Sequence, residues 1–442
     1  MKLAAASSNS KKGRPPPPPD FVLRSHTTDV TAVCFCYNVP LINDAIGDCE
    51  KYSSSPLTSS LSLENCLVSG SVDGLLKCWD IESRRVVLVL NEHSGKGILN
   101  VEWVTNRCCF LSQGRDGYIK MWHLTGKKAT NSELLVFQVQ CVATMDSGSY
   151  TFTKLSINTL QMPNILVAPA RNDSFFEIWN LETNQAMIGH CVARTEDQQG
   201  GVTRKTGMIM CLKLIVGTLN SSNDSLSSSV IVGVESGEIG IFLNADSTSP
   251  TNLVTVKKKE MSDDSEVNTE VDSNNSNENV GQNLDNSLAT KLLGLTGDQA
   301  QWSGQIHNEP ILCIDFIHSS KTDSFFGISG SADSNIGVYH IDSNTGQFNT
   351  AMNTAIQLKN PGISDVKIRS DGKLFGTCGW DGYIRLFSVK KLHPLAVLSY
   401  HEGSGVHTIE FGPVDSGTIC TASKDGKIAW WSIYGKIKTK VK

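Results

Sequence analysis

Four histidines in this chain, His26, His93, His307 and His401, each precede a hydroxyl residue and, four positions beyond it, an aspartate: Ser69 and Asp73, Ser112 and Asp116, Ser329 and Asp333, Thr421 and Asp425. Imidazole, hydroxyl and carboxylate are the parts of a nucleophilic triad, in which the ring takes the hydroxyl proton and the carboxylate orients the ring. A hydrolase needs one such set, isolated in a cleft. Here the set recurs in one register, and six residues after each aspartate stands an aromatic: Trp79, Trp122, Tyr339 and Trp431. Repetition of that kind points to a structural unit, because buried polar groups need partners and each copy of a repeat buries the same ones.

The unit itself occurs seven times, as SGSVDGLLKCWDI from Ser69, SQGRDGYIKMWHL from Ser112, APARNDSFFEIWNL from Ala168, VGVESGEIGIFL from Val232, SGSADSNIGVYHI from Ser329, TCGWDGYIRLFSV from Thr377 and TASKDGKIAWWSI from Thr421. The other three turn–aromatic pairs are Asp173 and Trp179, Ser236 and Phe242, and Asp381 and Phe387. Each copy reads as strand, tight turn, strand: Asp-Gly supplies the positive φ angles of a hairpin, and the flanks alternate apolar with polar. A further apolar strand precedes most copies, for example Val30 to Cys36 and Val406 to Phe411. The pattern predicts an all-β fold, a seven-bladed β-propeller. The last copy leaves no room for its outer strand, whereas Phe21 to Arg24 is a strand without a blade, so the two are expected to pair as a clasp. The third, fourth and sixth copies have no clear histidine, and the fourth has Glu235-Ser236-Gly237 at its turn.

Outside the blades, residues 1–19 are basic and proline-rich, a stiff spacer ahead of a propeller spanning 20–435. Residues 257–304, rich in Ser, Asn, Asp and Glu, are too poor in apolar side chains to fold and read as a disordered insertion between the fourth and fifth blades, with the fourth blade's outer strand before it around Leu253 to Val256. Residues 436–442 form a basic tail. A formal net charge of -5 argues against direct binding of nucleic acid, and the 13 cysteines show no zinc spacing and no complete disulfide framework, which suits a reducing compartment, nucleus or cytosol. No membrane span, P-loop or nucleophile elbow is present, so neither a cofactor nor a small-molecule substrate is expected. The residue before each turn aspartate is free of packing duties: Val72, Arg115, Asn172, Ala332, Trp380 and Lys424. Of these, Arg115, Trp380 and Lys424 have the chemistry of a protein-binding surface.

The repeat resembles that of WD-repeat proteins, which link a histidine, a hydroxyl, the turn aspartate and the third-strand aromatic in a buried hydrogen-bond network. That resemblance assigns the network to the four sets above and a turn role to Asp381 with Phe387. Longer strings, PPPPPDFVLR from Pro15, NPGISDVKIRSDGK from Asn360 and PLAVLSYHEGSGVHTIEF from Pro394 among them, resemble the fungal ASTRA-associated WD-repeat proteins and the animal G-protein β-subunit-like proteins. The resemblance implies a non-catalytic scaffold in the nuclear ASTRA assembly, concerned with chromatin remodelling and with chaperone-linked maturation of PI3-kinase-like kinases, whose partners are protein subunits. A ubiquitin-ligase substrate receptor or a Gβ-like signalling scaffold is the alternative; the long N-terminal coiled coil of a Gβ subunit is absent.

Overall fold

The computed structural model describes residues 16–37, 39–42, 62–63, 66–104, 107–128, 135–158, 162–192, 206–217, 227–243, 301–319, 322, 324–342, 345, 347–349, 352–413 and 416–433. Of the segments predicted from sequence, residues 1–15 of 1–19, residues 257–300 of 257–304 and all of 436–442 lie outside these, as do Leu253 to Val256. The described strands form seven antiparallel blades, each beginning at an inner strand and ending at an outer one.

The first blade runs Val30–Cys36, Cys66–Ser71, Leu76–Asp80, Arg85–Leu90; the second Ile98–Val104, Cys109–Gly114, Tyr118–Lys128, Leu135–Asp146; the third Ser156–Asn158, Met162–Pro169, Phe175–Asn180, Gln185–Cys191. The fourth runs Ile209–Gly217, Ser227–Val234, Ile239–Leu243, Gln301–Trp302; the fifth Ile311–Ser319, Ser324–Ser331, Asn335–Asp342, Thr354–Gln357; the sixth Ile363–Ile368, Leu374–Gly379, Ile384–Ser388, Pro394–Leu398. The seventh takes three strands from the end of the chain, Val406–Phe411, Thr418–Ser423 and Lys427–Ser432, and its outer strand, Phe21–Arg24, from the beginning. This clasp pairs Phe21 with Trp430 and Arg24 with Lys427, buries Leu23, and stacks Phe21 on Trp430 with ring centroids 5.2 Å apart.

Apolar side chains on the two faces of each blade pack against its neighbours, so the core is a set of inter-blade layers rather than one central mass. Small residues make the layers close. Gly70 and Gly330 leave room for Ile98 and Ile363 of the following blade, and a Cβ on either glycine would collide with that isoleucine. In six blades the inner strand carries a bulge at its start, as between Val30 and Ala32 or Ile363 and Asp365, which turns the extra residue toward the next blade. Thr31 thereby donates to the Ile98 carbonyl at 2.5 Å and Ser364 to that of Val406.

Two predicted boundaries need correction. The outer strand of the fourth blade is Gln301–Trp302, within the stretch read as insertion, and it pairs with Ile241 and Gly240. The third blade's turn is one residue longer than the common register: Leu166 pairs with Trp179 and Asn172, not Asp173, holds the turn by accepting the Ser174 amide at 3.0 Å. In addition, Val39–Ile42 pairs in parallel with the end of the second blade's third strand and antiparallel with Ser62–Leu63.

Candidate functional site

In the second blade the tetrad is continuous. His93 Nδ1 lies 2.9 Å from Asp116 Oδ2, His93 Nε2 lies 2.7 Å from Ser112 Oγ, and the Trp122 indole donates to the same Oγ at 2.8 Å. The fifth blade repeats it with a phenol: His307 stands 3.1 Å from Asp333 and 2.6 Å from Ser329 Oγ, which lies 3.1 Å from the Tyr339 hydroxyl. Burial is the largest single influence and raises the carboxyl pKa of Asp116 and Asp333, but the hydrogen bonds and charge of His93 and His307, joined by the bonds from the turn amides, together hold both below the ordinary carboxylate value.

The other sets depart from this pattern. In the first blade His26 Nε2 meets Ser69 Oγ at 2.8 Å and Trp79 donates to that oxygen, yet Asp73 does not reach His26; it accepts from the Ser71 hydroxyl and the Leu75 amide, and His26 Nδ1 is buried without a partner. Burial, then the nearby Lys77 ammonium, push the His26 pKa down to about 4. In the seventh blade His401 joins Asp425 and Thr421, both at 3.1 Å, but the Trp431 indole nitrogen has no partner. In the sixth, Phe387 has no polar atom to contribute, and Asp381 is held instead by Asn360 at 3.0 Å and by both terminal nitrogens of Arg385, the closer at 2.6 Å. Asn360 and Arg385 are not legible as partners from spacing alone, although Arg385 stands only four residues after the turn aspartate, on the strand that leaves the turn.

As a catalytic device the tetrad fails on access: Ser69, Ser112, Ser329 and Thr421 are completely buried, so no carbonyl carbon can approach their oxygens. Among the described residues no group of three His, Cys, Asp or Glu side chains is placed to hold a metal ion.

Two surfaces remain for binding. Inner-strand side chains converge on an axial cavity, lined among others by Glu102, Lys213, Asp315, Asp365, Lys367 and Glu410. These are largely paired: Lys213 to Asp315 at 2.7 Å, Lys367 to Glu410 at 3.4 Å, and Asp365 to Thr408 at 2.7 Å. Burial raises the Glu410 carboxyl pKa, and Lys367 pulls it back.

The second surface is the face bearing the hairpin turns. The backbone amide of Val72, Arg115, Glu235, Ala332, Trp380 and Lys424 each donates to the loop that opens an inner strand, so these positions form a ring. The member from the third blade is the exposed Arg171, since the longer turn displaces Asn172 by one place. Arg115, Trp380 and Lys424 are all exposed but do not form one cluster. Trp380 and Lys424 flank Gly405 on one arc, where the Trp380 indole lies over the bare Cα of Gly362 yet stays 54% exposed. Arg115 belongs to another arc, with its guanidinium 4.7 Å from the ring centre of Phe152.

Seven four-stranded blades, the repeated His–hydroxyl–Asp–aromatic sets and the borrowed outer strand define a WD-repeat β-propeller. Residues 18–80, 84–123 and 355–388 match the family model described as WD domain, G-beta repeat. Over most of its length the chain resembles ASTRA-associated protein 1: it is 24% identical to that of Schizosaccharomyces japonicus over 443 residues, covering 94% of this chain and 98% of the fungal one. The Schizosaccharomyces pombe protein of the same name is 34% identical over 130 residues, covering 29% and 33%. The guanine nucleotide-binding protein subunit beta-like protein 1 of Mus musculus is 26% identical over 368 residues, covering 83% of this chain and 87% of the mouse protein.

Proposed function

We propose that this chain is a non-catalytic scaffold subunit of an ASTRA assembly in the nucleus, serving chromatin remodelling and the chaperone-linked maturation of PI3-kinase-like kinases. The observation that carries the reading is the end-to-end similarity to ASTRA-associated protein 1. Burial of every repeated hydroxyl supports the non-catalytic part, since the groups that resemble a triad are held inside the blades. The exposed positions of the turn ring supply what a scaffold needs, a rigid face of differing side chains.

Affinity purification of the tagged chain from its native cells, with mass spectrometry of what is retained, tests the assembly. Recovery of large helical-repeat subunits and PI3-kinase-like kinases in a nuclear fraction is expected; recovery of a ubiquitin-ligase adaptor or a Gγ-like subunit would overturn it. Trp380→Ala, which removes a half-exposed side chain, is expected to lower those yields with no change in melting temperature.

A further inference from the structure

The connection Ser147–Leu155, between the outer strand of the second blade and the inner strand of the third, carries two of the most exposed aromatic side chains among the described residues: Tyr150, 73% exposed, and Phe152, 67% exposed. The loop beneath them is tightly held. Ser147 Oγ donates to the Gly117 carbonyl at 3.0 Å, Thr153 Oγ1 donates to the Ile209 carbonyl at 2.7 Å, and Gln113 bonds both the Thr153 carbonyl and the Leu155 amide. Ser147, Ser149, Thr153 and Leu155 are buried, so the alternation directs Tyr150 and Phe152 outward from a fixed base. Displaying two large apolar rings costs solvation, and a pinned loop spares a ligand the entropy of ordering it.

Cations surround the rings. Arg115 lies over Phe152, and Arg171 packs against Gly148, where a Cβ would stand 2.7 Å from its Nε. Lys154 follows at the mouth of the axial cavity, which Phe152 also lines. Among the described residues no carboxylate lies within ion-pairing distance of Arg115, Arg171 or Lys154, in contrast to Lys213 and Lys367 deeper in the cavity.

We propose that this arc docks an extended acidic segment of a partner protein, with carboxylates on Arg115 and Arg171, an apolar side chain between them on Tyr150 and Phe152, and a further carboxylate on Lys154. The proposal rests on the scaffold reading and names the chemistry of one partner. A phosphate backbone suits the arc less well: three cations are few, and Glu102, Asp315, Asp365 and Glu410 line the adjacent cavity.

The test is fluorescence polarisation of the full chain with a labelled 12-residue peptide of four Glu-Asp-Leu repeats, its Gln-Asn-Leu counterpart, and a 12-nucleotide oligo-uridine. The acidic peptide is expected to bind, to weaken at least tenfold in Arg115→Ala/Arg171→Ala and in Phe152→Ala at unchanged melting temperature, and to be indifferent to Trp380→Ala; the Gln-Asn-Leu peptide is expected not to bind. Absence of acidic-peptide binding, equal binding by the double variant, or preference for oligo-uridine would overturn the proposal. Purification from cells separates the two readings: partners retained by the intact chain but lost by none of these variants sink the acidic dock and leave the scaffold, whereas peptide binding with no ASTRA-type partner sinks the assembly and leaves the dock.

Discussion

The first and second blades hold the same four residue types at the same strand positions, and only the second joins them into one network. In the second blade Gly114 sits two residues before Asp116, and a Cβ there would collide with the His93–Asp116 pair. In the first blade the corresponding residue is Ser71, whose hydroxyl takes the Asp73 carboxylate for itself. Serine alone does not cause this, because Ser331 and Ser423 occupy the same place in the fifth and seventh blades and turn their hydroxyls to the loop carbonyls of Glu309 and Gly405. Possession of the residues is therefore separable from the bonding, and the bonding depends on which acceptor a neighbouring hydroxyl finds.

The largest expected difference is between the two histidines. His93→Ala strands a buried hydroxyl and a mostly buried carboxylate, a loss of roughly 3–5 kcal/mol in urea unfolding at neutral pH, whereas His26→Ala is expected to cost about 1–3 kcal/mol; equal losses would break the comparison. Next is acid sensitivity. The folded pKa of His26, about 4, lies below the unfolded value near 6.5, so the unfolded chain binds the proton first. The stabilisation is complete above the unfolded value and is lost as pH falls toward 4, a change of about 3 kcal/mol that His26→Gln should remove from the pH profile of thermal unfolding. Smaller again, Asp116→Ala is expected to cost about 2 kcal/mol and Asp73→Ala about 1 kcal/mol, read as paired melting temperatures. The smallest effect sharpens the cause: Ser71→Ala frees Asp73 to turn toward His26, shifting stability by under about 1 kcal/mol but raising the His26 titration midpoint in imidazole NMR. An unmoved midpoint would clear Ser71 of the role given to it here.

Much of the architecture is legible because a tight turn and an aromatic at a set distance are local features: Asp116 to Trp122 lies within a single hairpin. The third blade shows how that legibility misleads. Asp173 stands six residues before Trp179 and satisfies the pattern, while the pairing of Leu166 with Trp179 gives the turn role to Asn172, and only cross-strand register reveals it. Gln301–Trp302 is too short for periodicity to detect; it is selected by the open edge of the Ile239–Leu243 strand and by Trp302 covering Gly240. Asn360 replaces a histidine in the sixth blade through a contact 21 residues along the chain, which spacing rules for imidazole overlook. Tyr150 and Phe152 escaped notice for another reason: they lie on a connection between blades, whereas attention to the turn aspartates favours the hairpins.

The pairing of Phe21–Arg24 with Lys427–Ser432 joins segments about 400 residues apart. On the ribosome, at roughly 5–20 residues per second, the N-terminal strand waits on the order of 20–80 s for its partner to be made. Throughout that interval the first blade is exposed along the flank that the seventh will cover, and every copy of the protein passes through an open ring with two sticky edges before it can become a closed one.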